Sequence, residues 1–233
     1  FKSPHQSIAV DPAGGGRIVS WRIGEFEAAH VEGNFGLALD GFWKPPLQLT
    51  QPYAIAAQSE TPQGLKVTLQ RVLGADGGKL NGVTVRKTFD VPADTPGFKL
   101  TTEITNTAEA PELEFSYRWH NMPAFLEQRP GKAGWVRMEK GGKPVTFTRK
   151  FTPRAFRRAA DPDKGLDAVP AAPEDAIDSS TVLLGCDWSP TQVRIEFRPD
   201  SLYSFVFWDE GGMNCSTFEP VFARTRLKYG ETW

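Results

Sequence analysis

The sequence predicts an all-β protein, an antiparallel β-sandwich. Three observations carry the prediction: apolar residues alternate with a period of two in segment after segment, Gly and Pro punctuate those segments, and aromatic residues are plentiful. The 233 residues include 22 Gly, 19 Pro, 16 Phe and 7 Trp. Gly and Pro close tight turns, aromatics fill pleated surfaces, and a period of two is a half-buried strand. A chain of this length can bury one substantial core, so residues 1–233 read as a single domain. Phe1 in place of an initiator Met and the stop at Trp233 leave it readable as part of a longer natural chain.

Gly14, Gly15 and Gly16 lead into Arg17 to Trp21 (RIVSW), which reads as a turn feeding a strand. A phosphate-binding loop is not expected, because no Lys-Ser or Lys-Thr follows and no helix opens there. Leu65, Val67 and Leu69 share one parity, and in the next segment Val83, Val85, Phe89 and Val91 likewise keep to one. The turn-rich Pro92 to Gly97 (PADTPG) follows, and Phe98, Leu100, Thr102 and Ile104 resume the alternation, so an antiparallel hairpin is predicted.

Beyond Asn106 to Pro111 (NTAEAP), Leu113, Phe115, Tyr117 and Trp119 take one face of a strand. Glu112, Glu114, Ser116, Arg118 and His120 take the other, polar face. From about 130 to 180 the pattern weakens into a loop-rich insertion with room for a short helix. Its Arg154, Arg157 and Arg158, flanked by Asp161 and Asp163, read as a solvated face rather than a grip on an anion. Val193, Ile195 and Phe197 alternate again, a turn spans Pro199 to Ser201, and Tyr203 to Trp208 (YSFVFW) is apolar on both faces, as a central strand is. Nothing repeats at a fixed period, so neither propeller nor solenoid is indicated.

Charge narrows the function classes. Lys and Arg total 27 against 28 Asp and Glu, which supplies no net field for nucleic acid or an anionic membrane and favours a neutral partner. No apolar run approaches the roughly 20 residues that cross a bilayer, and no basic-then-apolar leader opens the chain. A soluble protein is expected, with the compartment open between cytoplasm and export after signal removal.

Cys186 and Cys215 form no C-x-x-C pair, so they read as two buried thiols or as a single disulfide. The three His (His5, His30, His120) have no spacing for joint metal binding, no nucleophile motif appears, and neither metal nor cofactor is expected.

Three segments, taken in order, resemble the galactose mutarotase-like (aldose 1-epimerase) superfamily. Ala13 to Trp21 (AGGGRIVSW) is similar to its early "GG-R-I-x-S-L" strand. Val83 to Asn106, NTAEAP and Phe115 to Phe125 (FSYRWHNMPAF) resemble its strand, its "N-x-x-x-x-P" turn and its "W-H-P-Y-F" motif, and His120 falls on that motif's histidine. Cys215 to Glu231 (CSTFEPVFARTRLKYGE) resembles its "C-L-E-P" segment and closing "L-x-P-G-E" turn, and Glu219 falls on the catalytic glutamate.

The resemblance implies a mono- or oligosaccharide partner. Opening an aldose ring needs a proton taken from the anomeric hydroxyl while the ring oxygen receives one, and a carboxylate and a histidine on facing strands can supply both. On that reading Glu219 and His120 are the catalytic candidates, and Arg86, Arg118, Trp188, Trp208 and Asp209 are the substrate-binding candidates. Trp43 and Trp119 are further rings able to stack on a pyranose.

The sequence departs from the enzymes' pattern, which includes a second histidine as general acid: no His occurs from Asn121 onward. Asp187, Asp209 or Glu210 would have to donate the proton instead. The leading expectation is therefore a carbohydrate-binding domain without complete epimerase machinery. A divergent aldose or hexose epimerase using Glu219 as base is the alternative, and a structural sandwich segment of a larger glycan-processing enzyme is a third. The sequence leaves the oligomeric state open.

Overall fold

The computed structural model describes residues 1–108, 112–148, 154–158, 176–177, 179–198, 201–208 and 213–233, with 154–158, 176–177 and 208 described by their backbone alone. Among these the regular structure is almost all strand, paired antiparallel with one short exception, as the alternation predicts.

Strands β1 (Gln6–Asp11), β2 (Arg17–Ile23) and β3 (Phe26–Glu27) form a small sheet. Gly15 and Gly16, at φ 83° and 64°, turn the chain between β1 and β2 in a conformation that residues with a Cβ resist. Strands β4 (Leu39–Lys44) and β5 (Leu47–Gln48) follow. Then β6 (Ala54–Thr61), β7 (Gly64–Val72), β8 (Thr84–Pro92) and β9 (Lys99–Thr105) make a meander in chain order. The β8 to β9 connection is the hairpin predicted at Pro92 to Gly97.

Next come β10 (Glu112–His120), β11 (Gly134–Lys140), β12 (Lys143–Thr148), β13 (Arg154–Arg158) and β14 (Ala176–Ile177). The chain closes with β15 (Thr181–Cys186), β16 (Ser189–Glu196), β17 (Leu202–Trp208), β18 (Thr217–Phe222) and β19 (Thr225–Lys228). The central sheet has the order β14-β13-β17-β18-β10-β4-β5, with β19 also paired to β10. A four-stranded sheet has the order β12-β11-β15-β16. The doubly apolar segment is β17, lying between β13 and β18 as expected of an interior strand.

Part of the segment read as a loop-rich insertion is regular structure. β11 and β12 pair from Trp135 opposite Thr148 to Lys140 opposite Lys143. Gly141 and Gly142 join them, both with positive φ (58° and 69°), the combination that matches the twist of a two-residue hairpin. Val136 and Met138 face the core from β11, but the charged residues around them mask the period. The rest of this region, where the sequence leaves room for a short helix, includes 149–153 and 159–175, which lie outside the described residues. Cys186 and Cys215 are buried thiols, not joined in a disulfide.

One face of the central sheet carries Phe42, Phe115, Tyr117, Phe205, Phe207 and Phe218, all fully buried. They belong to one continuous cluster with Val85, Phe89 and Ile104 of the meander and with Val136 and Leu184 of β11 and β15. This two-layer packing is the predicted sandwich. A polar bolt crosses it: Lys87 of β8 and Asp40 of β4, both with wholly buried side chains, pair at 2.7 Å. Tyr53 donates to Asp40 at 2.7 Å, Tyr117 donates to its other oxygen, and Lys87 donates to the carbonyl of Gly16 at 3.1 Å.

Candidate functional site

Because Phe115, Tyr117 and Trp119 face the core side of β10, Ser116, Arg118 and His120 face the opposite side. On β18, Phe218 and Phe222 take the core side, which turns Thr217, Glu219 and Val221 the other way. The two strands are neighbours, with Arg118 opposite Val221 and Asn121 bridged to Phe218. Asn121 fixes the alignment. Its Oδ1 accepts from the backbone N–H of Ala38 at 2.7 Å and its Nδ2 donates to the Phe218 carbonyl at 2.9 Å, joining the approaches to β4, β10 and β18.

These registers converge on Glu219, which is 3% exposed. Arg118 Nη1 donates to its Oε2, and Thr217 Oγ1 donates to its Oε1 at 3.0 Å. His120 Nε2 lies 3.4 Å from Oε1, without the alignment of a hydrogen bond. Phe35 covers the imidazole, stacked at a centroid distance of 4.4 Å and an interplanar angle of 25°. Burial, reinforced by the positive charge of Arg118, lowers the His120 pKa to about 3, so the ring is neutral at ordinary pH.

The Arg118 guanidinium lies 4.8 Å from the centre of the Trp43 ring. Trp43 packs in turn on a small cluster of Tyr203, Val206 and Val221. Along this stretch Ser116 Oγ, Arg118 Nε, both ring nitrogens of His120 and the Tyr203 hydroxyl are buried with no hydrogen-bond partner among the described residues.

A second polar cluster stands beside the first, at the loop that carries Phe35. His30 Nδ1 contacts Glu127 at 2.9 Å and its Nε2 contacts Glu32 at 3.2 Å. Glu32 accepts from the backbone N–H of Asn214 at 3.0 Å, and Arg129 donates to Glu127 at 2.7 Å. Three loops are thereby tied together: the one holding Phe35, the one after Asn121 and the one entering β18. The hydrogen bond to Glu127 is the largest of the effects that raise the His30 pKa above its usual value.

The fold thus brings together His120, Arg118 and Glu219. It does not bring in Arg86, which lies on the exposed face of the meander opposite Gln70 and Glu103. Trp188 sits in the turn between β15 and β16, its ring 4.8 Å from the Arg129 guanidinium. Asp187 at the same turn accepts from the backbone of Ala133 at 3.1 Å. Trp208 pairs with Thr217 through its backbone, and Asp209 and Glu210 lie outside the described residues. Trp119 faces the core side, where it borders a cavity of about 860 Å³ on the face of the sheet away from Glu219.

Sequence reasoning places Ser116 on the polar face of β10 with Arg118 and His120 but misses Thr217, Tyr203 and Phe35. Thr217 is within reach, because it sits two residues from Glu219 and therefore on its face. Tyr203 lies at a register shift in β17 and Phe35 in a loop, where no period applies. Among the described residues no group of three or more His, Cys, Asp or Glu could hold a metal ion.

No protein-family model matches the chain, and no curated protein is significantly similar in sequence. Solved structures are similar in fold. The Slr1438 protein of Synechocystis sp. PCC 6803 aligns at a TM-score of 0.66 and 10% identity over 98% of this chain and 89% of its own. A galactose mutarotase related enzyme from Lactobacillus acidophilus aligns at 0.63 and 10% identity over 100% and 93%. A galactose mutarotase-like protein from Clostridium acetobutylicum aligns at 0.59 and 12% identity over 100% and 91%. At such identities the likeness is one of fold, and the fold is galactose mutarotase-like. No helix of the described residues is long and apolar enough to cross a membrane.

Proposed function

We propose that this chain is a carbohydrate-binding domain on a galactose mutarotase-like fold, without complete aldose epimerase machinery. The observation that carries the reading is the row of buried polar atoms without partners beside Glu219: Ser116 Oγ, Arg118 Nε, both His120 nitrogens and the Tyr203 hydroxyl. Buried polar groups are ordinarily hydrogen-bonded, and a set left open on one face calls for a ligand or water that completes it. Sugar hydroxyls both donate and accept, so they complement donors and acceptors alike. The site's own charges pair with each other, Arg118 with Glu219, which suits a neutral ligand. Trp43 offers a ring at its border for the apolar side of a pyranose.

The same contacts argue against full catalysis. Both oxygens of the Glu219 carboxylate already accept hydrogen bonds, Oε2 from Arg118 and Oε1 from Thr217, which engages lone pairs that a base would use. The His120 ring, with its pKa near 3, carries no proton to donate as a cation, and it is the last His of the chain. One observation favours the alternative of an aldose 1-epimerase with Glu219 as base: the 3.4 Å approach of His120 to Glu219, the two groups the reaction would need side by side.

Saturation-transfer and one-dimensional NMR with freshly dissolved α-glucose, α-galactose and a panel of oligosaccharides tests both readings. The expected result is sugar contact without accelerated anomer exchange, lost in Glu219→Gln. Accelerated exchange that Glu219→Gln abolishes would replace the proposal with the epimerase. Absence of contact with every sugar would end both.

A further inference from the structure

The groups beside which a sugar would bind lie below the surface: Glu219 is 3% exposed and His120 1%. The imidazole is roofed by Phe35, whose ring stacks on it at a centroid distance of 4.4 Å. Phe35 ends the tip of a short loop, Val31 to Phe35 (VEGNF). A hydroxyl group reaches the unpartnered His120 nitrogens from this side only when that ring moves aside.

The loop is built to move as a unit. Both its ends are clamped to one residue: His30 N–H donates to the Met122 carbonyl at 2.9 Å, and the Gly36 carbonyl accepts from Met122 N–H at 2.8 Å. At Gly36 a Cβ would come within 2.5 Å of the Ile18 carbonyl oxygen, so that end is packed fast. Between the clamps Val31, Gly33 and Asn34 are exposed, and a Cβ on Gly33 would meet no atom within 4 Å. Besides a turn bond from Phe35 N–H to the Glu32 carbonyl at 3.0 Å, side chains hold the tip down among the described residues. Arg17 donates to the carbonyls of Gly33 at 3.2 Å and Phe35 at 3.0 Å, and stays charged at any ordinary pH. Glu32 accepts from Asn214 N–H at 3.0 Å and meets His30 Nε2 at 3.2 Å.

The His30 contact is conditional. Its Nε2 faces Glu32 and its Nδ1 faces Glu127 at 2.9 Å, so each ring nitrogen points at a carboxylate oxygen. An imidazolium donates from both nitrogens, whereas a neutral imidazole donates from one and turns a lone pair toward the other carboxylate. Among the described residues the other charges at the loop are Arg129, which donates to Glu127 at 2.7 Å, and Arg17, paired with Asp11 at 3.9 Å. The Asn214 N–H and then His30 hold the Glu32 pKa below the usual carboxylate range, and the His30 bond does the same for Glu127. The bond to Glu127 raises that of His30. At and above the ordinary histidine range, His30 is therefore the member of this cluster that changes charge.

We infer that Val31 to Phe35 is a lid over the Glu219 site, with Phe35 as its plug and Glu32 as its latch, and that the latch loosens when His30 gives up its proton. What the lid admits rests on the carbohydrate reading of that site. Below the His30 transition both carboxylates are held and the lid stays shut. Above it one contact is lost, and the open form that admits a sugar gains population. Loss of one charge-assisted hydrogen bond corresponds to about a tenfold shift toward the open form.

Diethyl pyrocarbonate reads the lid without any sugar, because it acylates a neutral imidazole nitrogen and releases ethanol and carbon dioxide. His120, with its pKa of about 3, is neutral at every pH used, so its labelling reports access rather than its own titration. The chain is labelled at no more than one His per molecule, from about pH 5 upward until the His30 ring has titrated by NMR, and the sites are mapped by peptide mass spectrometry. At the acid end His120 should label about tenfold or more slowly than the neutral fraction of free N-acetylhistidine, and its rate should rise about tenfold in step with His30. Phe35→Ala should label fast at every pH. Glu32→Ala should label faster than the parent at the acid end and lose the rise, with circular dichroism confirming that both variants keep the fold. Labelling in Phe35→Ala no faster than in the parent, or parent labelling that stays flat while His30 titrates, would overturn the lid. A sugar that binds should slow His120 labelling and associate faster above the His30 transition; equal association on both sides would overturn it as well. The labelling holds no sugar, so failure there strikes the lid alone, whereas absence of contact with every sugar strikes the carbohydrate reading and, with it, the sugar as what the lid admits.

Discussion

Arg118 and Glu219 stand on neighbouring strands of the central sheet, and the guanidinium of one closes onto the carboxylate of the other where their side chains are 16% and 4% exposed. A paired charge at that depth is tolerated because each partner replaces the water the other has lost, and removing one strands the other. Arg118→Met should therefore destabilise the chain by about 3–5 kcal/mol, leaving the buried carboxylate without its counter-charge. Glu219→Gln should cost less, about 1–3 kcal/mol, because the amide keeps the volume and can still accept from Thr217. Urea unfolding at neutral pH measures both. Equal costs for the two would mean that the pair does not hold this part of the sheet.

His120 makes stability fall in acid. Its folded pKa is about 3 against an ordinary 6.5, so below pH 6.5 the unfolded chain binds a proton that the folded chain refuses. Its contribution is present in full above pH 6.5 and is lost as the pH falls toward 3, with a slope approaching about 1.4 kcal/mol per pH unit. His120→Gln should flatten that part of the profile in urea titrations run from about pH 7 to pH 4. A profile unchanged by the substitution would assign the acid sensitivity to other groups.

His30 works with the opposite sign. Its contacts with Glu127 and Glu32 raise its folded pKa above the ordinary 6.5, so the stability it supplies is complete below pH 6.5 and fades as the pH rises through the folded value. The cluster ties down the loop that places Phe35 over His120. His30→Gln should remove the decline above pH 6.5 and should raise exchange of the Asn214 amide, which donates to Glu32. Exchange at Asn214 that stays as slow as in the parent chain would separate the loop from the histidine.

The strands that the sequence discloses are those whose two faces differ: β7, β8, β9 and β10 each keep a period of two. For the same reason the common side of Arg118 and His120 on β10, and the turning of Glu219 away from Phe218 and Phe222, are legible from parity alone. That β10 and β18 are neighbours is not, since pairing between distant strands leaves no local trace, and only the resemblance in order of motifs joined them. β6 is exposed at every residue, so it has no buried face to produce a pattern. The β11 to β12 hairpin is hidden because charges of both signs surround the few residues that face the core, Val136, Met138 and Phe147. Lys87 is the instructive failure. Its parity with Val85 and Phe89 places it inward, yet a lone charge contradicts that placement until Asp40, distant in sequence, is seen beside it.

That buried pair supports the last prediction. Lys87 and Asp40 are 2.7 Å apart with no exposed side-chain surface, and the carboxylate also accepts from Tyr53 and Tyr117. Burial pulls the Lys87 pKa down and the neighbouring Asp40 pulls it partly back, while burial and then the Asp40 charge push both tyrosines well up. The pair's worth is thus mainly the penalty of leaving one member alone, because the desolvation of two ions offsets much of their attraction. Lys87→Met should cost about 3–5 kcal/mol, and Asp40→Asn a similar amount by leaving the ammonium between the Gly16 and Ala38 carbonyls. The double variant should be more stable than the sum of the two losses predicts, since it removes both charges while the introduced amide still accepts from one tyrosine. Urea unfolding of the four chains completes the cycle. Strictly additive losses would show that the two side chains do not act as a unit, and that the sandwich layers are held at this point by their apolar neighbours instead.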